Sequence, residues 1–267
     1  MSDTARVLLI TGDQLRHRWV ASTLHRTLGL AGVVSEQVPA LPVDSASATL
    51  TEDEQIIQKH FEERDAVEKV HLGREVDFPE VPVRHVPRGE SNSPETRAWV
   101  SEQRPDVVFL YGSSIIRPPL LTDYPTINLH LGLSPYYRGS GTNFWPLANG
   151  EPECVGCTIH LAVEDVDAGG VLHQVRPPVE PVDRAHEMGT KALMAAVAAI
   201  PAVVEAYRAG RIQPVKQDLS AGTVYKRRDF DAASVRRLWA NLESGMIREY
   251  AEAQDTRNAR FPIVGQV

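Results

Sequence analysis

Apolar and polar positions keep two different rhythms along this chain, and the changes between them mark its elements. A short apolar run over residues 6–11 stops at Gly12 and predicts a buried first strand. The spacing through Leu28 predicts a helix behind it, with Thr11 or Asp13 as its cap. Residues 33–38 predict a second strand, followed by a Pro/Ser/Ala-rich loop over 39–48. A charged amphipathic helix is predicted over 51–70; it reads as an inserted structural helix with a solvated face and without chemistry. Residues 83–86 and 106–111 predict further strands, the latter ending at Gly112. Between them Ser93-Pro94-Glu95 is a helix start, with Ser93 as cap and Pro94 in the first helical position. Pro118-Pro119 opens a short helix, and Tyr124-Pro125 leads into an alternating strand. There Ile127, Leu129 and Leu131 face one way, Asn128 and His130 the other. Residues 155–163 and 171–175 predict strands around an acidic turn, and 185–208 an alanine-rich helix. Strands alternating with helices imply an α/β fold with a mostly parallel sheet flanked by helices.

The pattern changes after residue 209. Residues 210–222 are polar and turn-rich, 223–226 predict a short strand, and 229–242 and 244–253 predict two helices. Leu238, Trp239, Met246 and Ile247 form an apolar set suited to covering an edge of the main body; residues 262–264 are unassigned. The expected organisation is a main domain over 1–209 with a C-terminal strand/helix appendage over 210–267.

Composition narrows the function classes. At 267 residues, 42% hydrophobic and 24% charged, the chain has the make-up of a globular protein with an ample core. Its formal net charge of -7 argues against a nucleic-acid surface. Two cysteines build no disulfide framework, Met1-Ser2-Asp3-Thr4 opens no secretory signal, and the longest apolar stretch, 192–206, is broken by Pro201. A cytoplasmic protein with no membrane partner is expected.

The centre of the chain carries the chemistry. Gly132 and Pro135 break the Asn128/His130 strand at its C-terminal end, where open parallel sheets bind ligands. The acidic run before Gly169-Gly170 can fold back to bring Asp167 to that pair. Asn128-Leu129-His130, Leu133-Ser134-Pro135, Tyr137-Arg138-Gly139, Asn149-Gly150, Gly156-Cys157-Thr158 and Asp165-Val166-Asp167-Ala168-Gly169-Gly170 follow in order. Together they resemble the folate-dependent formyltransferases, a group that includes glycinamide ribonucleotide transformylase, methionyl-tRNA formyltransferase and the nucleotide-sugar N-formyltransferases. Glu164 stands where the motif's first Asp would be, and Ser134 replaces a Leu before Pro135, a bond that can be cis.

The resemblance implies the formyltransferase fold, a Rossmann-like sheet. It also implies Asn128, His130 and Asp167 as catalytic residues acting on N10-formyltetrahydrofolate as co-substrate, without a metal. The side chains suit those roles. An amide and a charged imidazole stabilise the formyl oxygen as negative charge develops, and a neighbouring carboxylate keeps the imidazole protonated and takes the amine's proton. By the same resemblance Tyr111, Gly112, Ser113, Ser114, Ile115 and Ile116 line the pteridine pocket, with Val163, Glu164 and Asp165 opposite. Tyr136, Tyr137, Arg138, Thr142 and Asn143 form an aromatic, hydrogen-bonding loop suited to the acceptor. Cys154-Val155-Gly156-Cys157 with His160 has the look of half a zinc site, but no second cysteine pair exists and the segment reads as buried strand.

Thr11-Gly12-Asp13-Gln14 lacks a Gly/Ser-rich loop for a ribose phosphate, and the acidic chain with its short tail argues against tRNA. The expected acceptor is a small-molecule amine, foremost an amino sugar linked to a nucleotide. An amino-acid-derived amine and plain hydrolysis to formate stand as alternatives. The residues leave the oligomeric state open, a homodimer included.

Overall fold

Six consecutive buried residues, Val7–Gly12, form the central strand β1, from which the sheet grows on both sides. The structure, a computed structural model, describes residues 5–38 and 50–267, so the loop predicted over 39–48 lies outside the described residues. After β1 come α1 (Leu15–Leu28), β2 (Gly32–Glu36), α2 (Glu52–Leu72), β3 (Val83–Val86), α3 (Pro94–Glu102) and β4 (Val107–Tyr111). The middle of the chain holds α4 (Leu120–Asp123), β5 (Thr126–His130), β6 (Tyr137–Gly139), α5 (Trp145–Ala148), β7 (Cys157–Leu161) and β8 (Val171–Val175). The last elements are α6 (Ala185–Arg208), β9 (Thr223–Tyr225), α7 (Ala232–Glu243), α8 (Met246–Glu252) and α9 (Gln254–Asn258).

Seven strands make the main sheet in the order β3-β2-β1-β4-β5-β7-β8. The first five run parallel, and β7 and β8 join antiparallel at one edge. The chain winds outward from β1 to β3, then crosses to β4 and β5, which creates a switch point at the C-terminal ends of β1 and β4. Alternate residues of each central strand feed two cores. Leu9, Phe109 and Ile127 pack with Val20 and Leu24 of α1 and Ala196 and Ile200 of α6, while Leu8, Ile10, Val34 and Val108 pack with Val100, Leu120 and Leu121 on the other face. Burial on both faces is why these strands read as continuous apolar runs.

Helix α6 spans the residues expected, with Pro201 inside it, and is long and apolar enough to cross a membrane by length and composition alone. Its apolar face is instead spent on the sheet. Neither predicted cap of α1 serves: the Thr11 hydroxyl donates to the Tyr111 carbonyl, and Asp13 accepts from the Val38 amide. Gln14 takes the position, its N–H donating to His17 Nδ1. Ser93 caps α3 as expected, accepting from the Thr96 amide.

A third core joins the residues after 209 to the middle of the chain. Leu238, Met246, Ile247 and Tyr250 are buried against Tyr137, Trp145, Cys154 and Val155, with Trp239 at the margin. Strand β9 pairs in parallel with β6, placing Gly139 opposite Tyr225. Gly139 has φ +90, and a Cβ there would lie 2.1 Å from the Tyr225 carbonyl oxygen, so only glycine permits this approach.

Candidate active site

Strand β5 presents Asn128 and His130 from one face at the sheet's C-terminal edge, as the alternation requires. The β7–β8 connection folds back over them. Gly169 packs so tightly on β7 that a Cβ would sit 1.7 Å from the Leu161 carbonyl oxygen, and Asp167 adopts φ +51, a left-handed conformation that Asp tolerates better than most residues. Backbone held in this region concentrates where side chains must be aimed.

The result is a buried cluster. His130 Nδ1 lies 3.2 Å from Asp167 Oδ2, which also accepts the Gly139 amide at 2.9 Å. Asn128 Nδ2 lies 3.4 Å from Asp167 Oδ1 and 3.0 Å from His160 Nε2. His130 Nε2 lies 3.0 Å from the Tyr137 carbonyl oxygen and 3.2 Å from the Thr142 hydroxyl, which itself donates to the Leu131 carbonyl. Gln217, from beyond residue 209, donates to the carbonyls of Asp167 and Gly169 and ties down the turn.

Burial lowers the His130 pKa below the ordinary imidazole value; Asp167 opposes this without overturning it. Both ring nitrogens of His130 nevertheless face acceptors, Nδ1 the Asp167 carboxylate and Nε2 the Tyr137 carbonyl. Burial would raise the Asp167 pKa, yet His130, His160 and the Gly139 amide together hold it well below the usual carboxylate range. The cluster thus offers a carboxylate acceptor, an imidazole and an amide.

His160 is a member that sequence reasoning passed over as a suspected metal ligand. Its Nδ1 is 2.7 Å from the Leu161 carbonyl, and its Nε2 is 3.0 Å from Asn128 Nδ2 and 3.5 Å from Asp167 Oδ1. It thereby fixes which way the Asn128 amide faces. The signal was available: His160 lies directly opposite Asn128 in the β5–β7 register. Cys154 and Cys157 are buried free thiols with pKa values raised by burial, and no group of three or more His, Cys, Asp or Glu among the described residues is placed to hold a metal.

Around the cluster opens a cleft of about 1180 Å³. Tyr111, Gly112, Ser113, Ser114, Ile115 and Ile116 line one part of it, with Val163, Glu164 and Asp165. Three residues absent from the sequence reading hold this loop. Buried Glu36 accepts from the Ser114 amide and hydroxyl at 2.6 Å each; Arg88 donates to the Gly112 and Ser113 carbonyls; Asn92 bonds the Ile115 carbonyl and the Arg117 amide. A fully buried acid at the end of an apolar strand was the sequence cue for Glu36.

Thr142 and Asn143 also line the cleft, but Tyr136, Tyr137 and Arg138 do not. Tyr136 donates to the Pro262 carbonyl, Tyr137 donates to Glu151 and stacks on Tyr225, and Arg138 donates to the Leu219 carbonyl. These three side chains fasten the C-terminal segments to the body, a use only the fold reveals. Conversely α2, read as chemically silent, contributes His60, Phe61, Arg64 and Glu68 to the cleft.

A family model described as formyl transferase matches residues 17–204, more than half of the chain. The chain belongs to the formyl transferase family. Over 143 residues this formyl transferase is 31% identical to methionyl-tRNA formyltransferase of Synechococcus sp. (strain JA-3-3Ab). That match covers 51% of the chain but only 44% of the relative, so it spans less than half of that protein's length. Two solved structures share its fold. The Mycobacterium tuberculosis protein Rv3404c, described as a candidate sugar N-formyltransferase, aligns with TM-score 0.56 at 18% identity, over 85% of this chain and 77% of that one. Phosphoribosylglycinamide formyltransferase of Anaplasma phagocytophilum aligns with TM-score 0.55 at 19% identity, over 83% of this chain and 99% of that one.

Proposed function

We propose that this formyl transferase moves the formyl group of N10-formyltetrahydrofolate to a primary amine of a small molecule, an amino sugar linked to a nucleotide. The observation that carries the reading is the convergence of Asn128, His130 and Asp167, from β5 and the β7–β8 turn, on one cleft.

The folate suits the loop side of that cleft. Ile115, Val163 and Val166 are large apolar side chains left 51%, 45% and 42% exposed, all lining it, and a flat heterocycle would cover them. When bound, the folate supplies an activated formyl group on nitrogen. The residues do the rest. The Asn128 amide and His130 Nε2–H are the donors for negative charge on the formyl oxygen, which requires Nε2 to turn from the Tyr137 carbonyl to that oxygen. Asp167, ionised throughout the neutral range, lies against His130 Nδ1 and takes up the proton that the amine sheds, directly or through water; as the amine's bond to the formyl carbon forms, that carbon's bond to the folate nitrogen breaks and a proton is returned to that nitrogen.

The sugar reading draws on the fold shared with structures described as sugar N-formyltransferases. It is tested by incubating the protein with N10-formyltetrahydrofolate and a panel of amines that includes nucleotide-linked aminosugars. Mass spectrometry is expected to find one formyl group added to an aminosugar; formate release with every amine unchanged would replace the reading with hydrolysis.

A further inference from the structure

One wall of the cleft has a composition that formyl transfer itself does not explain. Helix α2 and residues 225–230 meet there. Phe61, Phe144 and Phe230 lie half-buried in the wall with ring centroids 5.0–5.5 Å apart in the pairs Phe144–Phe230 and Phe61–Phe230, and His60 packs edgewise on Phe144. Arg64 stacks over the Phe61 ring at 4.8 Å. Lys226, Arg227 and Arg228 are exposed and also line the cleft, and among the described residues their side chains form no ion pair.

The charge balance here runs against the whole chain. A protein of net charge -7 places Arg16, Arg64, Lys226, Arg227 and Arg228 on this cleft; Arg64 is paired with Asp65 at 2.7 Å, whereas Lys226, Arg227 and Arg228 pair with no carboxylate among the described residues. Glu68 is taken up by Arg16 at 2.7 Å. Two buried polar atoms in the same wall, His60 Nδ1 and Asn143 Nδ2, have no hydrogen-bond partner, which is costly unless a ligand supplies one. Thr142, which touches His130, stands two residues before Phe144, so this wall begins at the reacting end of the cleft.

We infer that α2 and residues 225–230 form a nucleoside-diphosphate subsite, with Lys226, Arg227 and Arg228 holding the diphosphate and the three phenylalanines receiving the base. Cations left without carboxylates suit phosphate oxygens, which bind guanidinium through charge-assisted hydrogen bonds. Aromatic faces beside them suit a planar base. Neither group alone selects a nucleotide; their adjacency does. The inference rests on the proposed acceptor and deepens it: the sugar bridges from this subsite to the Asn128/His130/Asp167 cluster, and α2 is an acceptor-binding element.

The test is calorimetric titration of the full chain, without formyl donor, with UDP, dTDP, GDP and ADP, their monophosphates and their nucleosides. At least one diphosphate is expected to bind tenfold or more tightly than its monophosphate, with little binding of the nucleoside, and to weaken as salt rises. Arg227→Ala/Arg228→Ala is expected to weaken that diphosphate by tenfold or more while the melting temperature stays within a degree or two, both residues being exposed. No diphosphate binding up to millimolar concentration, or equal binding by wild type and the double variant, overturns the inference. Formyl transfer to a nucleotide-free amine without nucleotide binding sinks the subsite and leaves the activity standing. Nucleotide binding without any formyl transfer does the reverse.

Discussion

Asp167 is reached from four directions: by the His130 ring, the Gly139 amide, the Asn128 amide and His160. Substituting Asn preserves its shape and removes the charge that makes it a proton acceptor. Asp167→Asn is expected to lower kcat for formyl transfer by about 10²–10⁴-fold with the circular dichroism spectrum intact. Steady-state kinetics beside the spectrum checks this, and a variant within twofold of wild type removes Asp167 from the mechanism. The His130 ring belongs to the same scale. The Asp167 carboxylate raises its pKa, and burial lowers it by more.

Between β4 and α4 the 112–117 loop owes its shape to side chains from two other elements and a neighbouring turn. Glu36 ends β2, Arg88 follows β3 and Asn92 precedes α3; together they occupy the Ser114 amide and the Gly112, Ser113 and Ile115 carbonyls. The Ser114 amide, already paired this way, is unavailable to a heterocycle, so a folate bound as proposed would meet the remaining groups and the apolar wall. Glu36→Ala removes the acceptor of both Ser114 bonds and leaves Arg88 without its carboxylate. The loop is expected to loosen, raising KM for the formyl donor by about tenfold, equivalent to about 1.4 kcal/mol, with a smaller change in kcat. Donor and acceptor KM values measured separately decide this, since a change confined to the acceptor would place the loop on the wrong substrate.

For the molecule as a whole, the segment after residue 209 shares a core with residues 137–188 and supplies Gln217 to the Asp167 turn. We propose that it is an appendage in sequence only and unfolds together with the rest. Leu238, 1% exposed, is the probe: Leu238→Ala is expected to cost about 2–5 kcal/mol and to shift one cooperative transition, whereas two separate transitions would mark an independent unit. Acid sensitivity is also a whole-molecule property. Burial lowers the pKa values of His17, His130, His60 (to about 3) and His186 (to about 4). Between these values and about 6.5 the unfolded chain binds more protons than the folded one, so stability rises with pH there and is lost as pH falls below about 6.5. Each such histidine contributes up to about 1.4 kcal/mol per pH unit. Urea midpoints at pH 7.5 and 5.5 are expected to differ accordingly, and equal midpoints would mean these rings are not held neutral.

The sequence by itself determined the strands of the main sheet and the long helices, and its resemblance to a family pointed to Asn128, His130 and Asp167; β6, inside the segment read as a loop, was not legible. Period-two and period-3.6 patterns are local consequences of which face is buried, and the Asn128/His130 pair is aimed by strand alternation alone. Residues 185–208 and the Ser93 cap were legible for the same reason: their causes lie within a few positions. What only the tertiary structure decided depends on partners far apart in the chain. Tyr136, Tyr137 and Arg138, polar and aromatic beside the catalytic strand, turn to Pro262, Glu151 and Leu219 because β9 docks on β6. Glu36 finds Ser114 across 78 residues, and α2 presents Arg64 to the cleft although its own sequence shows only an ordinary solvated helix. Burial, the quantity that lowers the His130 pKa, is a sum over all neighbours, and no window of sequence contains it.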